Sequence, residues 1–545
     1  MEKLFFIAII NFLLVSCINK TNADLIVTGA TIYTADSSFS IAEALAVKDG
    51  KIVATGTSAY ILKNYEARET IDATGKYIYP GFIDAHAHFV GYGLGLSTVN
   101  LVGTESWDDI LHHLSNATKN ADTSGWIIGR GWDQNDWAVK EFPSKEKLDA
   151  MFPNRPVFLQ RIDGHAAIAN QKAFDQAGLA AGYTLAGGTV ETKNGKLTGI
   201  LIDNAIELVG SKIPRPSVAQ VKSALLLAQQ ECFAVGLTTV DDCGLDYEPI
   251  LLIDSLQKTG ELKMRVYAML SDNKNNFDFI TPKGKIKTDR LNVRAFKVYA
   301  DGALGSRGAC LLQPYNDKPG WGGFLLSSAK HFDSVAAVIY KLGFQMCTHA
   351  IGDSGNRVIL QTYARQLKGK NDLRWRIEHA QVINQNDFNL FGENNIIPSV
   401  QPTHATSDMY WAAERLGKER IKGAYAYNDL LKQNGWIPLG TDFPVEDISP
   451  LKTFYAAVVR KDAKGFPAGG FQPENALTRQ EALRGMTIWA AKANFEENEK
   501  GSLENGKFAD FILLDQDLMK TEQDKILQTK VITTFINGQQ VFSNK

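Results

Sequence analysis

Eight short apolar segments recur between residues 82 and 443: Phe82–Phe89, Leu237–Cys243, Met264–Leu270, Phe296–Gly302, Phe344–Ala350, Arg376–Val382, Ile397–Pro402 and Ile437–Phe443. Each has the length and apolar content of a buried strand. Helical patterns fall between most of them, at Ser217–Val235, Glu248–Leu262, Phe332–Leu342, Asn356–Leu367 and Tyr427–Gln433. A further one opens on the cap-like Thr478 and runs to Ala493. Strands alternating with helices at this spacing predict an α/β fold with a parallel sheet, and eight such units predict a closed (β/α)8 TIM barrel.

The first connection breaks the rhythm. Roughly 145 residues separate the first strand from the second, far beyond an ordinary loop. An insertion lobe is expected over about 100–215, with Trp126–Trp132 and Val157–His165 as strands of its own near the barrel mouth. Both chain ends have a different texture. Residues 23–79 alternate apolar and polar over short runs divided by turns such as Asp49-Gly50, and residues 498–545 do the same around Asn537-Gly538. Neither end is long enough to bury a core alone, so the two are expected to form one small β-sandwich beside a barrel spanning 80–497.

The N-terminus reads as an export signal. Lys3 precedes an apolar run from Leu4 to Val15, too short to span a bilayer as a mature helix. It ends in Leu14-Val15-Ser16-Cys17, which looks like a bacterial lipobox, with residues 1–16 as signal peptide, Cys17 as the lipidated residue and 17–22 as a polar tether. An ordinary signal peptide with an incidental cysteine is the alternative. Either way the expectation is an exported protein, and the lipobox predicts a cell-envelope lipoprotein held to a membrane by its lipid. The other four cysteines, Cys232, Cys243, Cys310 and Cys347, match no zinc-ribbon or disulfide framework. Buried thiols are expected, with a disulfide open in an oxidising compartment. A formal net charge of −2 and the lack of any basic stripe exclude nucleic acid as a partner class.

In a barrel of this kind the chemistry lies at the C-terminal ends of the strands. The first ends in Asp84-Ala85-His86-Ala87-His88, whose two histidines, two residues apart, face one side of a strand and could begin a transition-metal site. The fourth carries Lys297, the fifth ends in Thr348-His349-Ala350, the sixth in Glu378-His379-Ala380 and the eighth in Gly440-Thr441-Asp442. A lone strand-end histidine is more often a hydrogen-bonded core residue. Four histidines, a lysine and an aspartate at the correct ends of five strands point instead to a shared centre.

These motifs, from Pro80-Gly81-Phe82-Ile83-Asp84-Ala85-His86-Ala87-His88 through Lys297-Val298-Tyr299-Ala300-Asp301-Gly302 and His349-Ala350-Ile351-Gly352-Asp353 to Ile377-Glu378-His379-Ala380-Gln381 and Gly440-Thr441-Asp442-Phe443-Pro444, resemble the amidohydrolase superfamily and, within it, the YtcJ-like branch. Arg161-Ile162-Asp163-Gly164-His165 in the insertion is similar to the same branch. The resemblance implies a barrel of the metal-dependent hydrolase type with a divalent metal, zinc by default, as one or two ions. His86, His88, Lys297 and Asp442 would hold one ion, and His349, His379 and Lys297 the other, with Lys297 bridging as an N-carboxylated lysine. It further implies hydrolysis of a non-peptide C–N bond in a small molecule, such as an N-acyl, N-formyl or cyclic amide, by metal-activated hydroxide, with Asp442 as catalytic proton shuttle. The same metal site would serve an esterase or a ring deaminase. A lipid-anchored binding protein on a retired scaffold is the reading from another class.

Substrate contacts are open between two roles each. His165 could reach over the mouth or be a hydrogen-bonded lobe residue. Arg307 could clamp an anion or fix its own loop. His404 is a rim candidate or a packed histidine, while Trp411, with Tyr410 and Trp132, could supply an apolar wall or pack simply as core. Oligomeric state is open.

Overall fold

The computed structural model describes residues 20–119 and 125–544. The signal segment 1–16 and the lipidation candidate Cys17 lie outside the described residues. Seven strands of the central sheet are parallel and run in chain order: β1 (Phe82–Ala87), β2 (Leu237–Leu245), β3 (Arg265–Ser271), β4 (Leu291–Tyr299), β5 (Gln345–Ala350), β6 (Arg376–His379) and β7 (Ile397–Ser399), with the short Ile286–Lys287 antiparallel to β4. Its strands are buried on both faces because helices cover the outside, as at Val218–Ala234, Ala329–Leu342 and Asp353–Leu367. Ser217 and Gln220 cap the first of these reciprocally, and Thr478 and Glu481 do the same for Arg479–Gly485.

Closure differs from the expected eighth strand over Ile437–Phe443. Only Leu439 bridges to Val400, in parallel, so the sheet is a nearly closed barrel. Three local features prevent a longer ladder. Pro438 has no amide hydrogen. Gly440 packs so tightly on β1 that an added Cβ would meet the His86 amide nitrogen at 2.5 Å, and Asp442 turns into the left-handed region with φ 65°. Single hydrogen bonds close the gap instead: Ala85 N donates to Leu439 O at 3.2 Å and Asp442 N to His86 O at 2.7 Å.

Other predicted strands end early where their chemistry begins. β1 stops at Ala87, so His88 lies beyond the strand and caps the helix Phe89–Gly95. β6 stops at His379 because His379 and Ala380 have φ of 73° and 41°. β7 gives way at Pro402 to the helix Pro402–Asp408.

Between β1 and β2 the insertion builds its own six-stranded sheet, ordered Gly188–Lys193, Lys196–Asp203, Ala166–Ala169, Val157–Arg161, Ile127–Trp132 and Val99–Asn100. The expected strand Val157–His165 ends at Arg161, and the next strand, Ala166–Ala169, pairs with it antiparallel. The turn between them, Ile162–His165, contributes to the cavity at the barrel mouth.

The chain ends supply two further sheets. One is four-stranded, from Thr21–Thr28, Ala44–Lys48, Lys51–Gly56 and Tyr65–Asp72. Its first strand opens at Thr21, so Thr21 and Asn22, expected in a tether, are already in a sheet. The other is six-stranded and joins both ends, with Tyr77–Pro80 antiparallel to Phe511–Leu514. Leu25, Val47 and Ile52 of the first sheet share one apolar cluster with Ile32, Ile78, Phe511 and Phe535 of the second.

Candidate metal centre

His86 sits at the hub. Its Nδ1 is 2.6 Å from Glu378 Oε2 on β6, and its Nε2 is 3.1 Å from Lys297 Nζ on β4 and 3.6 Å from Asp442 Oδ1. His88 brings Nε2 to 3.1 Å from the same Asp442 oxygen. From the other side, His404 Nε2 lies 3.5 Å from Asp442 Oδ2. His379 packs its ring 4.7 Å from that of His86, and its Nδ1 is tied to Gln401 Oε1 at 2.8 Å. His349 stacks edge-on against His379 at 4.7 Å.

Donor atoms of His86, His88 and Asp442 all lie within 4.8 Å of one another, and so do those of His379, His404 and Asp442. Asp442 thus belongs to two groups, each compact enough to surround one cation. The second group differs from the one implied by resemblance, since His404 stands in it and His349 does not. Among the buried atoms here without a hydrogen-bond partner are His349 Nε2, His404 Nε2, Asp442 Oδ1 and Glu378 Oε1. Orphaned polar atoms are costly unless something fills them, and neutral imidazole nitrogens with a carboxylate suit a divalent transition metal.

The protonation states agree with that use. Burial, helped by the charge of Lys297, pushes His86 down to about 4. Burial drives His349 and His379 well below the ordinary imidazole range. All three therefore present lone pairs at neutral pH. Burial disfavours the charged form of Asp442, but the fields of His86 and His88 outweigh it and hold the carboxyl well below its usual range. Lys297 is buried, yet the carboxylates of Glu378 and Asp442 help keep its ammonium charged.

The centre opens into a cavity of about 670 Å³. His165, His404 and Trp411 line it, and His165 is oriented by Asp203, with Nδ1 2.6 Å from Oδ1. Arg307 does not line it. Its Nη2 donates to Asp317 Oδ2 at 2.7 Å, and Arg415 pairs with the same carboxylate, so Arg307 fixes its loop. Trp132 is core of the lobe, its indole donating to Leu159 O, while Tyr410 is exposed and stacks on Phe466. Cys347 packs under the site with Cys243, Tyr267 and Met269, and Cys232, Cys243, Cys310 and Cys347 are free thiols.

Several contributors escape a reading by strand parity. Alternation would put Glu378 and His379 on opposite faces. The positive φ of His379 lets both point inward, which is why Glu378 can hold His86. Asp84 is equally hidden. It accepts from Thr441 Oγ1 at 2.7 Å, from Thr441 N and from His86 N, tying β1 to the segment that carries Asp442.

Comparison with known proteins agrees with this architecture. A model of the amidohydrolase family matches residues 69–542. LONG AFTER FAR-RED 3 of Arabidopsis thaliana is 34% identical, covering 95% of this chain and 92% of its own length. The putative amidohydrolase YtcJ of Bacillus subtilis is 30% identical, covering 94% and 98%. N-substituted formamide deformylase of Arthrobacter pascens is 26% identical, covering 94% and 97%. An uncharacterized metal-dependent hydrolase from Pyrococcus horikoshii has a similar structure, with a TM-score of 0.74 at 27% identity over 92% of this chain and 99% of that one. With its sequence matched from the terminal sheets through the barrel, this chain belongs to the amidohydrolase family.

Proposed function

We propose that the protein is a metal-dependent hydrolase of a small-molecule, non-peptide C–N bond: an N-acyl, N-formyl or cyclic amide. The observation that carries this reading is the sharing of Asp442 between two compact groups of imidazoles at the floor of the cavity. Likeness to a deformylase of N-substituted formamides favours an amide over the ester and ring-deamination alternatives.

In this reading His86, His88 and Asp442 hold one divalent ion. His379 holds a second with His404 or His349, and Lys297 joins the two sites as an N-carboxylated side chain. That modification would replace a cation beside two dications with an anion. Zinc suits the histidine and carboxylate donors. The metal would supply Lewis acidity, lowering the pKa of a bound water toward neutrality. The protein's own groups do the rest. Asp442 takes a proton from the attacking water as the C–O bond forms, then delivers it to the leaving nitrogen as the C–N bond breaks. Glu378 fixes the tautomer and orientation of His86 through Nδ1. His165, braced by Asp203, faces the acyl group from the lobe.

Export and lipid anchoring at Cys17 belong to the same proposal, supported by the apolar run and lipobox-like residues that precede it.

The deciding experiment combines metal analysis with a hydrolysis screen of formamides, N-acyl amines, hydantoins, carbamates and esters. Bound metal with turnover of one amide class is expected. Turnover of esters alone, or protein purified without metal after growth with zinc and bicarbonate, would refute the reading.

A further inference from the structure

Two arginines of the lobe line the cavity, and their electrostatic situations are opposite. Arg161 is fully buried and paired with two carboxylates, Asp133 and Asp163. Arg130, on the lobe strand Ile127–Trp132, makes no ion pair among the described residues. Its Nη1 donates to the neutral Gln160 Oε1 at 3.1 Å and its Nη2 to Ile162 O at 2.7 Å. Its Nε is buried and donates to nothing.

The nearby carboxylates Asp163 and Asp442 act on Arg130 only through their fields: Asp163 is paired with Arg161 and Asp442 lies among His86, His88 and His404. The others are engaged as well. Asp203 is held by His165, Asp408 accepts from Tyr425 and Gln381, and Glu446 accepts from Ser407. A guanidinium drawn out of water without a counter-charge is costly, and one kept beside an open cavity is positioned to receive an anion. Two protein bonds leave one N–H on each Nη without a partner, enough for both oxygens of a carboxylate. Arg130 and Asp442 line the same cavity, so an anion held by the first belongs to the molecule cleaved beside the second.

We propose that Arg130 binds a carboxylate carried by the substrate, so that the preferred substrates are acidic amides such as N-formyl or N-acyl amino acids. The nature of the cleaved bond rests on the hydrolase reading; the anion site does not. The lobe, rather than the barrel, would then select the substrate.

The test compares N-formyl and N-acetyl amino acids with the corresponding amines lacking the carboxylate, for example N-formylphenylalanine with N-formylphenethylamine. Binding is read by calorimetry and turnover by kcat/KM. The wild type should favour the acidic member of at least one pair by about 10- to 100-fold. Arg130→Gln should collapse that ratio toward one, mainly through KM, and Arg130→Lys should restore part of it, since charge returns without the fork. Circular dichroism would establish that both variants fold. A wild type with no preference for the acid in any pair overturns the proposal, and so does a preference that survives in Arg130→Gln. A preference in binding without turnover supports the anion site and counts against the hydrolase reading alone.

Discussion

Asp442 serves both donor groups, and its left-handed backbone is what aims it at them. The φ of 65° is uncommon outside glycine, although aspartate tolerates it better than most residues, and it is held here by the bond from Asp442 N to His86 O. Replacing Asp442 with Asn keeps shape and removes the proton acceptor. Metal should stay, held by the imidazoles, while kcat falls by about 10²–10⁴-fold. Metal analysis beside steady-state kinetics checks this, and near-normal turnover would exclude a proton shuttle at Asp442. Glu378 acts one step away, through His86. Glu378→Gln leaves the packing but removes the charge that makes the imidazole a stronger donor. A drop in metal affinity of about 10–100-fold is expected in a chelator competition. Unchanged affinity would reduce Glu378 to a packing residue.

The elements that matter most are those that stop being regular. β1 and β6 end at or just before their histidines, and the eighth segment is a bridge rather than a strand. Gly440 makes that bridge possible, because a Cβ there would lie 2.5 Å from the His86 amide and 2.8 Å from Asp84 Oδ1. Gly440→Ala therefore forces the segment off β1, at a cost of about 1–3 kcal/mol. A lowered melting temperature together with weakened metal binding should follow, since the clash falls on a candidate ligand. A variant as stable and as metal-bound as the parent would show that the contact relaxes freely.

On the scale of the whole molecule, barrel, lobe and terminal sheets divide the work. The barrel gathers the donors, the lobe supplies Arg130 and His165, and the sheet uniting Tyr77–Pro80 with Phe511–Leu514 ties the chain ends together. No helix among the described residues is long and apolar enough to cross a membrane, so the proposed attachment rests on Cys17. Cys17→Ala should still be exported but should leave the membrane fraction and partition into the aqueous phase of a detergent separation. Continued partitioning into detergent would end the anchor proposal.

Strand–helix alternation, and the histidines, lysine and aspartate at strand ends, could be read in the sequence because both are local: period and position follow from covalent order. His86, Lys297, His379 and Asp442 were found in this way. Glu378, Asp84 and Gln401 were not, because their roles depend on which strands become neighbours, and in the case of Glu378 on a positive φ that breaks strand parity. Arg307 shows the converse. Its loop position left an anion clamp and a tie within its own loop both open, and only the fold shows that Asp317, ten residues away in the chain, takes its charge. The sequence by itself determined the barrel repeat and most of the donor set. Tertiary structure alone decided that His404 joins a candidate donor group, that His349 stands outside both groups, and that Arg130 makes no ion pair among the described residues. Pairing of charges and ligands is a property of distance in space, which sequence spacing does not encode.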